Sequence, residues 1–187
     1  MLVRRRAGED RRGICLKSSG RAKENSRMSR VNIIREARKF IGKPYKPFSL
    51  NPAQGLGCVG AIFIPAAIAG YRCAEFCRFN KPPVGAQMPR FLPQLQRQMR
   101  QIPIARATIG DVLLLTMGAH GQHLALVTSE RPKRVLHSWP TPTGGGRVQE
   151  NVLDSPIHSN NPRLRWSDLV VAAFRFHEPV ISKEEHE

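Results

Sequence analysis

Cys58 stands between the glycine-bearing loop GLG (55–57) and the run CVGAIFIPAAIAG (58–70), which is apolar on nearly every side. If that run is a helix, its first N–H groups lack intrahelical partners, and together with the helix dipole they favour an anionic sulfur. A thiol so placed is a candidate nucleophile; the plainer reading of a cysteine is a small buried apolar residue. A nucleophile also needs a base, brought from elsewhere in the chain. Of the 6 histidines, His123 opens HLALVT (123–128) and His137 lies near the end of RVLHS (134–138). A hairpin of those two runs sets the rings side by side. One ring can then take the thiol proton while the other orients it through a hydrogen bond. His120, in the segment GAHGQ, is the rival base, whereas His158, His177 and His186 have no comparable setting.

Other chemistries have less behind them. Cys73 and Cys77 are four apart, but no second pair of ligands has zinc-site spacing, so they read as packing residues or free thiols. The run GGG (144–146) has no Lys-Ser/Thr leading into a helix and reads as a hairpin turn rather than a phosphate loop. Trp139 and Trp166 read first as packing residues and second as substrate contacts. Neither a metal nor an organic cofactor is expected.

The elements that would position these residues follow from periodicity. SRVNIIREARKFIG begins with Ser29 as a potential N-cap, puts Val31, Ile34, Ala37 and Ile41 on one stripe, and stops at Gly42. Residues 43–57 read as a shaped loop rich in Pro, Asn and Gly, and 58–70 as a buried helix that Pro65 keeps from being straight. FLPQLQRQMRQI (91–102) reads as an amphipathic helix. Beyond Thr108 the period changes to that of strands: DVLLLT (111–116), HLALVT, RVLHS, RVQENV (147–152) and LVVAAFRF (169–176). Helices first and strands afterwards predict an α+β fold, with N-terminal helices packed on an antiparallel sheet of about five or six strands.

With 187 residues, 41% of them hydrophobic, the chain suits one domain with tails. Residues 1–28 carry charge with almost no apolar content beyond Leu2, Val3, Ile14 and Leu16 and are expected to form a disordered basic arm; 29–177 form the domain, and 178–187 an acidic tail. No apolar run is long enough to cross a membrane, and no signal-peptide core follows the basic start, so neither membrane insertion nor export by a leader is expected. The formal charge is +16, and the domain keeps most of it: 20 basic against 7 acidic side chains over 28–177. Such a field attracts nucleic acid, an anionic membrane or an acidic wall polymer alike. With aromatics at 6%, the interleaved rings of a single-strand-binding surface are sparse, and no specific nucleic acid is implied.

Five motifs in order, IGKPY (41–45), GLGCVG (55–60), IGDVLLL (109–115), QHLALVT (122–128) and VLHSWP (135–140), resemble those of the NlpC-type cell-wall cysteine peptidases, over about Ser29 to Phe176. The closing stretch, RVQENVLD followed by VVAAFRF, looks most like the subset found among phage and gene-transfer-agent tail genes. The resemblance implies a reduced papain-like fold with Cys58 as nucleophile, His123 as base, His137 as the orienting third residue and Tyr45 lining the cleft. It implies a peptidase or amidase that cuts peptidoglycan stem peptides, made in the cytoplasm and carried to the wall by a phage-like tail with tail-tip or baseplate partners. The family usually brackets its nucleophile as Asp-Cys-Ser; here Gly57 and Val59 stand at the substrate-binding positions, and Val59 is expected to add an apolar wall. The other readings are a structural tail-tip subunit with a degenerate site, a basic nucleic-acid-binding protein, and an acyltransferase on the same fold.

Overall fold

A computed structural model of the chain describes residues 29–73, 75–76, 91–116, 121–141, 145–158 and 161–177. The basic arm, the acidic tail, Cys77 and His120 lie outside the described residues. The runs of leucine and valine after residue 110 show no polar alternation because the sheet they form is buried on both faces. Strand β2 (Val112–Thr116) turns Val112 and Leu114 toward one core and Leu113 and Leu115 toward another. Strands β3 (Gln122–Glu130) and β4 (Lys133–Pro140) divide in the same way, Leu124, Leu126 and Leu136 against Ala125, Val127 and Val135.

The sheet is completed by β1 (Met99–Ile102), β5 (Gly146–Val152) and β8 (Val170–Phe176), in the order β1-β8-β2-β3-β4-β5 with every pair antiparallel. A separate hairpin of β6 (Pro156–His158) and β7 (Asn161–Arg165) belongs to no run read from the sequence. Where β2 begins, Arg175 of β8 donates two hydrogen bonds to the fully buried Asp111, at 2.8 and 2.7 Å.

Among the described residues, helices pack against this sheet. Helix α1 covers 29–38, and Gly42, at φ +87°, gives the left-handed stop after it. Its buried face is Ile33, Ile34 and Ala37 rather than the predicted stripe: Val31 and Ile41 are 41% and 46% exposed. Ile41 lies beyond the helix, in the turn that leads to β5. Helix α2 (Cys58–Ile68) runs through Pro65 and buries residues on all sides, Val59, Ile62, Phe63 and Ala66 among them. The predicted helix over 91–102 divides into α3 (Leu92–Gln98) and strand β1. Its helical spacing is overridden by pairing with β8, which sets Met99 opposite Phe176 and Ile102 opposite Ala173.

The loop from 43 to 57 is held by the sheet. Gly42 N–H donates to the Val148 carbonyl and Tyr45 N–H to that of Gly146, while Val148 N–H donates to Lys43, each at 2.9 Å, so the segment lies along the free edge of β5. Leu56 N–H then donates to the Pro44 carbonyl at 2.9 Å, which brings the start of α2 back to this edge. No helix among the described residues is long and apolar enough to cross a membrane.

Candidate active site

The residues read as nucleophile and bases come from three elements. Cys58 is the first residue of α2, behind an N-cap at Gly57 whose φ of −79° and ψ of 175° are open to any residue. What favours glycine there is space: a Cβ would lie 3.0 Å from the backbone nitrogen of Phe48 and 3.2 Å from the Lys46 carbonyl oxygen. One turn on, a Cβ at Gly60 would lie 2.6 Å from the Ser49 carbonyl oxygen. The loop therefore rests directly on the first turn of α2. Val59 is 1% exposed and packs in the core. The expected apolar wall in the cleft is thus not there, because the helix turns that position inward.

The backbone N–H groups of Leu124, Val59 and Cys58 itself lie near the sulfur of half-buried Cys58 and favour its anionic form. Burial nevertheless dominates and pushes the thiol up to about 11. This reverses the expectation of an anionic sulfur. The half-buried phenol of Tyr45 is raised by burial and by the negative charge that Cys58 would carry.

His123 and His137 are brought together as the hairpin reading expects. His123 Nε2 and His137 Nδ1 are 2.9 Å apart in a buried contact. Burial, and then the neighbouring His137, hold His123 well below the usual imidazole value. Burial brings His137 down to about 4, opposed by a hydrogen bond with Asn151, whose Oδ1 lies 3.3 Å from Nε2. Both rings rest neutral at pH 7. Leu124, whose amide meets the sulfur, directly follows His123, so the thiol sits against the start of β3; its partners here are backbone amides and not the His123 ring. Such contacts are often loose in unliganded sites and tighten around substrate.

Two tryptophans enclose the histidine pair. Trp139 stands edge to face with His123 at 4.9 Å and Trp166 with His137 at 4.5 Å, and the indoles meet each other at 5.2 Å. Trp166 is 1% exposed, which makes it a wall of the histidine pocket rather than a substrate contact. Cys73 is buried in the core, and His177 is exposed at the end of β8. Among the described residues no three His, Cys, Asp or Glu side chains are grouped to hold a metal ion.

No family model matches the chain, and no curated protein matches its sequence. Solved structures do. The crystal structure of a Staphylococcus aureus protein, described as similar to a lipoprotein of the NLP/P60 family, matches 81% of this chain with a TM-score of 0.52 and 20% identity. The chain has the NLP/P60 fold. It spans 42% of the length of that Staphylococcus protein. The peptidoglycan hydrolase RipB of Mycobacterium tuberculosis is also similar, with a TM-score of 0.48, 22% identity and coverage of 83% of this chain and 68% of its own. So is the NlpC/p60 domain of the peptidoglycan hydrolase SagA, at 0.46 and 19%, over 79% of this chain and 98% of that one.

Within this NLP/P60 fold, three neighbours of the site escape a reading of the sequence. Ser138 donates from Oγ to the Leu56 carbonyl at 2.6 Å and so ties β4, next to His137, to the approach to Cys58. Asn151 meets His137 from β5, and the Leu124 amide meets the sulfur. Period-two alternation in RVQENV does put Gln149 and Asn151 on one face, but only the register with β4 brings that face to His137.

Proposed function

We propose that this chain is a cysteine peptidase or amidase that hydrolyses amide bonds in peptidoglycan stem peptides. The observation that carries the reading is a thiol at a helix start whose backbone neighbour Leu124 directly follows His123 in β3, together with the engagement of His123 Nε2 by a second histidine, which leaves Nδ1 to act. The NLP/P60 fold and the five ordered motifs support the substrate class.

In the reaction, Sγ rotates from its backbone donors toward His123 Nδ1 as substrate enters. The thiol proton moves to Nδ1 while sulfur attacks the amide carbon and a C–S bond forms. Negative charge collects on the carbonyl oxygen, facing the N–H of Cys58 at the positive end of α2. His123 then gives its proton to the amide nitrogen, the C–N bond breaks, and the amine leaves. Water loses a proton to His123 Nδ1 and attacks the thioester; the C–S bond breaks, the acid is released, and the sulfur takes the proton back from Nδ1. Burial raises the thiol and lowers the imidazole, which favours a neutral starting pair and proton transfer that accompanies attack.

We place this activity in a phage-like tail that meets the cell wall, with tail-tip or baseplate proteins as partners. The likeness of residues 147–176 to tail-encoded peptidases and the basic domain support that placement. Purified peptidoglycan incubated with wild type and with Cys58→Ala, followed by mass spectrometry of the fragments, tests the activity: new amino and carboxyl ends are expected with wild type alone. Intact wall with both proteins would favour a structural tail subunit.

A further inference from the structure

The row of side chains that starts at His123 does not end at His137. Asn151 lies on β5, where the register pairs Val135 with Asn151 and His137 with Gln149, so it is the diagonal same-face neighbour of His137. Its Oδ1 is 3.3 Å from His137 Nε2, and His137 Nδ1 is 2.9 Å from His123 Nε2. A neutral imidazole has one N–H and one lone pair, and which nitrogen holds which is set by the partner of the other. An amide oxygen can only accept, so His137 donates from Nε2 and keeps its lone pair on Nδ1. That lone pair takes the Nε2 proton of His123 in a hydrogen bond and leaves the lone pair of His123 on Nδ1. Turned round, the NH2 group of Asn151 would reverse every bond in the row, and His123 Nδ1 would carry a proton and could not accept one.

We infer that Asn151 is a positioning residue that fixes the tautomers of His137 and His123 and so makes His123 Nδ1 the base; the inference rests on the assignment of Cys58 and His123 proposed above. Burial gives this its force. His137 has no exposed surface, and Trp139 and Trp166 pack edge to face around the two rings, so solvent does not stand in for the amide. The row runs across three adjacent strands, β3, β4 and β5, and is therefore held by backbone register.

Nitrogen-15 NMR of the full chain labelled at histidine, at pH 7.5, reads the tautomers directly. Both rings of wild type are expected in the Nε2–H form. Asn151→Leu, similar in size but without an acceptor, is expected to give mixed tautomers at His137 and at His123, and Asn151→Asp, which keeps the acceptor, is expected to restore the single form. On peptidoglycan, Asn151→Leu should lower kcat by roughly tenfold or more with KM held within about twofold, and Asn151→Asp should recover most of it. An Nδ1–H form of His123 in wild type overturns the inference whether or not any variant folds, as do unchanged tautomers in Asn151→Leu. Wild type that shows the expected tautomers yet cuts no peptidoglycan supports the positioning role and overturns only the substrate assignment.

Discussion

A neutral thiol beside neutral imidazoles makes two measurements diagnostic. With its thiol held at about 11, Cys58 should react slowly with iodoacetamide at pH 6 and gain about tenfold per pH unit up to at least pH 9, as thiolate becomes available. A labelling rate that levels off below pH 8, followed by peptide mapping, would instead reveal a preformed ion pair. The histidines act on stability. In the unfolded chain His137 protonates near the ordinary imidazole value of about 6.5, in the folded chain only near 4. Between those values protons favour the unfolded state, so the contribution is whole above the upper value and is lost as pH falls toward the lower, by about 3 kcal/mol. His123, held low for the same reason, acts in the same direction. Urea unfolding at pH 7.5 and 4.5 should show a larger loss for wild type than for His137→Gln, and equal losses would dismiss the buried neutral pair. The pairing of His123 and His137 is legible in the sequence because both lie on one face by strand parity and a hairpin between two consecutive strands brings the start of the first near the end of the second. The height of the thiol pKa is not, because it depends on how deeply the fold covers Cys58, and sequence shows only the helix start that pulls the other way.

Among the elements, the contact between the 46–49 loop and α2 has the narrowest tolerance. Gly60→Ala places a Cβ 2.6 Å from a backbone oxygen, and the backbone has to move to admit it. A loss of about 1 to 3 kcal/mol is expected, read as a lowered urea midpoint. Gly57→Ala, with its nearest contact at 3.0 Å, should cost less. The reverse order would show that the loop yields at Ser49 more readily than at Phe48. For the same reason Gly57→Asp is not a simple way to restore a polar flank to the nucleophile: its side chain would have to pass the backbone of Lys46 and Phe48. Of the five strands read from sequence, DVLLLT, HLALVT and LVVAAFRF are legible through apolar runs, and RVLHS and RVQENV through short β-type stretches between turn residues. Strand β1 is not, because Phe91, Leu92, Leu95, Met99 and Ile102 keep a helical spacing and only the partner β8 turns the last four residues into a strand. The Asn151 contact is hidden for a related reason, since register is a property of two strands together.

At the scale of the whole molecule, the six strands of the main sheet, helices α1, α2 and α3 and the candidate site lie within residues 29–177. A chain cut to that span should therefore melt within about 5 °C of the full chain, a difference of roughly 1 to 2 kcal/mol for a domain of this size; a larger drop by calorimetry would make the basic arm part of the fold. The sheet also has two unequal ends. At one, β1 is four residues long and places Arg100 and Gln101, both exposed, on the outermost strand, which discourages a second copy from adding to it. At the other, the edge of β5 is occupied by residues 42–45, which hold it by three backbone hydrogen bonds and lead, through Pro44 and Leu56, to the nucleophile. Few bonds secure this outer segment, so it is the part expected to open first on warming while β2, β3 and β4 stay paired. Heat should then silence the site reversibly at a temperature below that at which the sheet melts, and the amides of Tyr45, Leu56 and Val148 should exchange with deuterium ahead of those of β3, in step with the lost activity.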